Sequence, residues 1–163
     1  EGGPALVSGS EEYDAVRFAV REVAVALAQM VVRDGEGATK FVTVTVRGAR
    51  SEPDAERAAF AIATSPLVKT AIFGRDANWG RVAMAVGKSG SAVDAARLEI
   101  VFAGILTCLD GTAVPFDERA ASAALDARDI EILVDLHLGE AEATVWTCDL
   151  SYEYVRINGE YRS

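Results

Sequence analysis

Residues 33–46 read RDGEGATKFVTVTV, and the spacing of the apolar side chains changes inside them. Before Arg33, the residues Val16, Val20, Val23, Leu27 and Val31 recur every three or four positions, as on one face of a helix. From Phe41 onward, Val42, Val44 and Val46 alternate with Thr43 and Thr45, the period of a strand with its valines on one face. A helix must therefore end and a strand begin across Asp34-Gly35-Glu36-Gly37, where two glycines admit backbone angles closed to other residues. The helix is predicted over 11–33: Ser8 and Ser10 precede Glu11 and Glu12, supplying a cap acceptor and favourable charge in the first turn. Its most apolar part, Val23 to Val32, is too short to cross a bilayer and is bracketed by Arg21, Glu22, Arg33 and Asp34. It is expected to be a core helix.

Downstream, Ser51 with Asp54 three residues later marks a second helix start, and Pro53 sits in a first turn whose N–H groups have no helical partner to lose. This helix carries Ala58, Phe60, Ala61 and Ile62 and ends near Pro66, while residues 67–73 fit neither period. Asn78 caps a third helix with Val82 and Val86 four apart, stopping near Gly87. From Arg97 the pattern is β: Leu98, Ile100 and Phe102 alternate, Ala103-Gly104 turns, and 105–109 returns as a hairpin. A short helix near 117–126 follows. Ile130, Ile132, Val134 and Leu136 then alternate, Gly139-Glu140 turns, and Ala143, Val145 and Thr147 run back, which predicts a second hairpin. The tail from Ser151 is aromatic and polar, with Tyr152, Tyr154 and Tyr161. Helices and strands in mixed order with hairpins give an α+β class.

The composition, half apolar and a quarter charged over 163 residues, is that of an ordinary globular chain of one domain or somewhat more. A net charge of −9, from 25 acidic and 16 basic residues, argues against a nucleic-acid groove or an anionic membrane surface and suits a cationic substrate. Two cysteines, Cys108 and Cys148, make a disulfide framework improbable; both are expected to be buried, in a reducing, cytoplasmic compartment. The opening EGGPALVSGSEE has no cationic or apolar leader region, and a first residue of Glu1 suggests a start inside a longer gene product.

Individual candidates carry less. His137, the only histidine, has no cysteine or carboxylate at metal-ligand spacing and is expected as a strand side chain at the sheet surface. No phosphate-cradling glycine loop occurs. Glu36, held between two glycines, can be approached closely by a ligand, though an exposed turn glutamate reads the same way. Lys69 and Arg75 could meet a substrate carboxylate or simply pair with surface acids. Trp79, in a helix's first turn, is expected as core rather than as a ligand platform.

Three blocks in fixed order change the argument: DGEGATK at 34–40, SPLVKTAIFGRDANWGR at 65–81, and CDLSYEYVRINGEYRS at 148–163. Together, over nearly the whole chain, they resemble the ornithine acetyltransferase (glutamate N-acetyltransferase) family of arginine biosynthesis. One departure is Ala77, where the family usually has Pro; it touches no reacting group. The resemblance implies transfer of an acetyl group from N2-acetylornithine to glutamate, with acetyl-CoA accepted by some members, no cofactor and no metal. It also implies a precursor that cuts itself before a threonine, which becomes the nucleophile of the β chain in an α2β2 assembly.

That threonine's Ala-Thr-Met/Leu-Leu context is absent from this sequence, so no residue here is expected to be catalytic; Thr39, Thr64 and Thr144 follow alanines but lie outside any such context. The chain resembles the C-terminal part of the β chain. By the resemblance, Glu36, Asn158 and Ser163 contact substrate. The implied architecture is the end of an N-terminal-nucleophile-like layered sandwich over 1–50, a smaller α+β domain over 51–150, and a tail, 151–163, returning to the active site. A hydrolase of related fold, and a non-catalytic amino-acid-binding fragment, remain the alternatives.

Overall fold

The structure, a computed structural model, describes residues 7–160; Ser163 lies outside the described residues. In chain order the elements are α1 (Glu11–Arg33), β1 (Phe41–Ala49), α2 (Glu52–Ala63), α3 (Pro66–Phe73), α4 (Trp79–Gly87), β2 (Glu99–Phe102), β3 (Ile105–Leu109), β4 (Thr112–Ala113), α5 (Glu118–Ala124), β5 (Asp129–Asp135), β6 (Ala141–Cys148) and α6 (Tyr152–Glu160). Among the described residues, six helices accompany one six-stranded mixed sheet of order β4-β3-β2-β5-β1-β6, as the α+β class requires.

The helix starts follow from their caps. Ser10, Ser51, Ser65 and Asn78 each accept a hydrogen bond from the N–H three residues on, satisfying a donor that has no helical partner. The segment 67–73, unreadable by period, is α3, with Pro66 in its first turn and Ser65 as cap. The 103–104 turn has positive φ at both Ala103 (46°) and Gly104 (82°), the twist that a two-residue hairpin needs.

The core lies on one face of the sheet. Val42, Val44 and Val46 of β1, Ile130, Ile132 and Val134 of β5, and Ile100 and Phe102 of β2 are buried there with Ala55, Ala58, Ala59 and Ile62 of α2 and Val82, Ala85 and Val86 of α4. The small side chains along α2 let it lie close to the sheet. The alternate residues Thr43, Thr45, Glu131, Leu133 and Val101 face away and are half-buried or exposed. β1 lies one strand in from the β6 edge of this sheet, parallel to β5 on one side and antiparallel to β6 on the other.

Several expectations are corrected. β5 and β6 do not form a hairpin: β1 lies between them, and β5 pairs instead with β1 and β2. Both runs alternate correctly, but a long-range partner displaced the local one. α1 has its predicted bounds yet no buried residue; Phe18, Val20, Leu27, Met30 and Val31 are 55–73% exposed, so it is not a core helix of this chain. His137 is not on a strand but two residues past β5, with φ 50°, beside Asp135 (Nδ1 to Oδ1, 3.4 Å) and Glu99 (Nε2 to Oε2, 3.2 Å). Cys108 is fully buried, which pushes its thiol pKa up, but Cys148 is only half-buried. Trp79 is half-buried against the core.

Candidate functional site

The glycine loop between α1 and β1 is held from below by the segment that follows β6. Asp149, 3% exposed, accepts hydrogen bonds from the Thr39 N–H (Oδ1, 2.8 Å), the Lys40 N–H (Oδ1, 2.9 Å) and the Thr39 hydroxyl (Oδ2, 2.5 Å). One carboxylate thus satisfies two backbone donors of the loop as it enters β1. Ser151, also buried, acts in two directions: its hydroxyl donates to the Gly37 carbonyl at 2.6 Å and accepts from the Glu153 N–H at 3.2 Å, capping α6.

Gly37 is required where it stands. Its φ is +67°, and a Cβ there would lie 2.6 Å from the Tyr154 N and 2.9 Å from the Glu153 carbonyl carbon. The loop and the first turn of α6 therefore meet backbone to backbone. Tyr152 adds an edge-on ring contact with Phe73 of α3, centroids 5.3 Å apart, and the Leu150 N–H donates to the Lys69 carbonyl. Beneath the loop, Lys69 Nζ lies 3.7 Å from Cys148 Sγ, and the same sulfur abuts Gly35.

This packing brings together two residues 122 positions apart. Asn158 Nδ2 donates to Glu36 Oε2 at 2.9 Å and also to the Tyr154 carbonyl at 2.9 Å, so both amide hydrogens are engaged. Oδ1 of Asn158 and the remaining lone pairs of Glu36 then present acceptors only. Both side chains are exposed, and a set of acceptors open to solvent suits an ammonium group rather than a carboxylate. Nearby, the hydrogen bond from Arg156 holds the Glu153 carboxyl below the usual carboxylate range, with Arg156 raised in return.

Sequence reasoning named Glu36 and Asn158, and weighed Lys69 and Cys148 in other roles, but missed Asp149 and Ser151; together these last four build the platform under the pair. The available signal was two short polar residues, Asp149 and Ser151, straight after an alternating strand, where side chains commonly bond free backbone groups. The threonines that follow alanines have hydroxyls already engaged: Thr39 with Asp149, Thr64 with the Phe60 carbonyl, Thr144 with Thr45. Arg75 pairs with Asp126 at 3.1 Å, and Arg81 donates to the Leu67 carbonyl at 2.8 Å. Among the described residues, no three histidine, cysteine or acidic side chains converge as a metal site, and no helix is long and apolar enough to cross a membrane.

The sequence profile described as the ArgJ family matches residues 3–163. A relative from Geobacter sulfurreducens, named arginine biosynthesis bifunctional protein ArgJ, is 52% identical over 99% of this chain and 42% of its own length. One of the same name from Zymomonas mobilis is 49% identical over 99% of this chain and 40% of its own. The chain thus spans about two-fifths of the curated relatives it matches. The crystal structure of the Bacillus halodurans protein of that name superposes with a TM-score of 0.93 at 39% identity, over 98% of this chain and 75% of that one.

Proposed function

Because the chain belongs to the ArgJ family, we propose that it is a portion of an acetyltransferase β chain, serving transfer of an acetyl group from N2-acetylornithine to glutamate in arginine biosynthesis. In this reading Glu36 and Asn158, with Ser163 of the tail, hold the amino-acid substrate, and the attacking threonine belongs to polypeptide beyond these 163 residues. The observation that carries the reading is the 2.9 Å contact between Glu36 and Asn158, which leaves an acceptor-only pair matched to an ornithine ammonium group.

The chemistry is a double displacement. The threonine hydroxyl loses its proton to its own α-amino group and attacks the acetyl carbonyl; hydrogen-bond donors stabilise the oxyanion; ornithine leaves as the amine, taking that proton. The glutamate amine then attacks the acetyl ester and restores the threonine. Work in the cytoplasm within an α2β2 assembly belongs to the same proposal.

The test uses the complete enzyme bearing Glu36→Gln, which keeps the bond to Asn158 but removes the charge. A charge-assisted hydrogen bond of about 1.5–3 kcal/mol predicts a rise in KM for acetylornithine of roughly ten- to a hundredfold, with kcat changed less. An unchanged KM removes Glu36 from the site. Product analysis tests the reaction class: acetylglutamate supports transfer, and free acetate as the main product supports a hydrolase instead.

A further inference from the structure

Among the described residues β6 is the outermost strand on its side of the sheet, and no strand pairs with its outer edge. In an antiparallel pair, alternate residues turn their N–H and C=O toward the partner. The Asp149 N–H donates to the Lys40 carbonyl, and in the same register Thr147, Val145 and Ala143 lie opposite Val42, Val44 and Val46. Those odd-numbered residues use their backbone groups on β1, so Glu142, Thr144, Trp146 and Cys148 turn theirs outward. The Phe41 N–H, bonded at 2.7 Å to the Arg128 carbonyl on the β5 side of β1, agrees with this phase.

The open edge borders a groove of about 820 Å³ between α1 and α2. Phe18 and Val25 of α1 and Phe60 of α2 give it apolar walls, and Phe18 and Phe60 are 65% and 59% exposed. Unsatisfied strand donors and apolar walls in one groove are the two requirements for adding a strand.

We propose that this groove seats an extended strand from the part of the ArgJ polypeptide outside these 163 residues, hydrogen-bonded along the outer edge of β6 and covered by α1. The relatives carry such polypeptide: this chain matches 42% of the Geobacter protein, and its fold fills 75% of the solved Bacillus chain, leaving a quarter of it to pack elsewhere. Charge selects among occupants. Glu22, Glu52, Glu56 and Glu142 line the groove against Arg21, so a neutral or basic strand is favoured. A second copy would set acidic groove against acidic groove on chains of net charge −9.

The experiment co-expresses the 163-residue chain with the unmatched remainder of the Geobacter relative and follows sedimentation and amide hydrogen exchange. A one-to-one complex is expected, with exchange at Glu142, Thr144 and Trp146 slowed at least a hundredfold, while Ala143 and Val145, already bonded to β1, change little. Thr144→Pro removes an outward N–H, which an edge strand tolerates, together with the exposed hydroxyl contact to Thr45, and should weaken the complex at least tenfold with the odd-numbered amides still protected. Phe18→Glu, at a position 65% exposed in this chain, should weaken it similarly. The proposal is overturned by failure to form a complex, by a complex equally tight with both variants, or by even-numbered amides that exchange as fast as in the chain alone. A homodimer that protects those amides and is not displaced by the remainder also overturns it. Binding and exchange are read without any activity, so failure here is separate from failure of the acetyl-transfer reading.

Discussion

Replacing Gly37 with alanine should undock α6 while leaving the sheet folded. The new Cβ would sit 2.6 Å from the Tyr154 N and 2.9 Å from the Glu153 carbonyl carbon, both backbone atoms of a helix that cannot yield by rotating a side chain. An L-residue in the left-handed region costs about 1–2 kcal/mol, and forced overpacking adds about 1–3 kcal/mol. Opposing that are the Ser151 bond to the Gly37 carbonyl, about 0.5–1.5 kcal/mol net, the exposed Asn158 bond to Glu36, and the edge-on contact of Tyr152 with Phe73, each of similar size or less. The penalty matches or exceeds the attraction, and α6 has no buried residue to anchor it further. Amide exchange in residues 152–160 should accelerate by about 30-fold or more, since 1.4 kcal/mol corresponds to tenfold, whereas β1 and β5 amides keep their protection. Gly90→Ala is the control: φ is +76° but nothing lies within 4 Å of the added Cβ, so it carries backbone strain without the clash. If Gly37→Ala leaves α6 protection unchanged, backbone contact at residue 37 is not what docks the tail.

Asp149→Ala strands the Thr39 and Lys40 N–H groups and should lower stability by about 2–4 kcal/mol in denaturant titration; a change under about 0.5 kcal/mol would show that water replaces the clamp. Leu27→Glu with Val31→Glu, at positions 55% and 73% exposed, should leave the melting temperature of the isolated chain nearly unchanged, and marked destabilisation would mean α1 is packed after all. The Ser51 hydroxyl, opposed by burial and aided by the Ala92 N–H, holds the Asp54 carboxyl below its usual range. A lowered folded-state pKa gives stability that is present above the unfolded value, about 3.9, and lost as pH falls through the folded one. The stability gap between the parent chain and Asp54→Asn should therefore be widest near neutral pH and close on acidification below about pH 4; a gap independent of pH would rule out the carboxylate as the source.

Local chemistry was legible wherever a cap or a period stood next to its own consequence. Ser10, Ser51 and Asn78 predicted three helix starts because each bonds an N–H only three residues away. The β5–β6 pairing was misjudged because alternation tells which face a strand buries and says nothing of its neighbour; β1, some 90 residues earlier, supplied the better partner. α6 escaped notice since YEYVRINGE is polar, contains Gly159 and packs by its first turn rather than by an apolar stripe. The spacing in α1 correctly announced a helix with an apolar face, but not whether its cover lies in the same stretch of chain. Glu36 was singled out from its glycines and Asn158 only from family resemblance, since no local rule links residues so distant.

Ser151 ties the cap of α6 to the carbonyl of Gly37, and this has a thermodynamic consequence for any ligand held by both Glu36 and Asn158. Glu36 stands in the loop that enters β1, Asn158 on α6. Were α6 to undock, only molecules with it docked (closed) would offer both groups at once, and the measured affinity would equal the intrinsic one multiplied by the closed fraction. A ligand bridging the two must in turn favour closure by the same factor, which makes the stiffness of one serine hinge a setting for binding strength that no change in the ligand's own contacts would reveal.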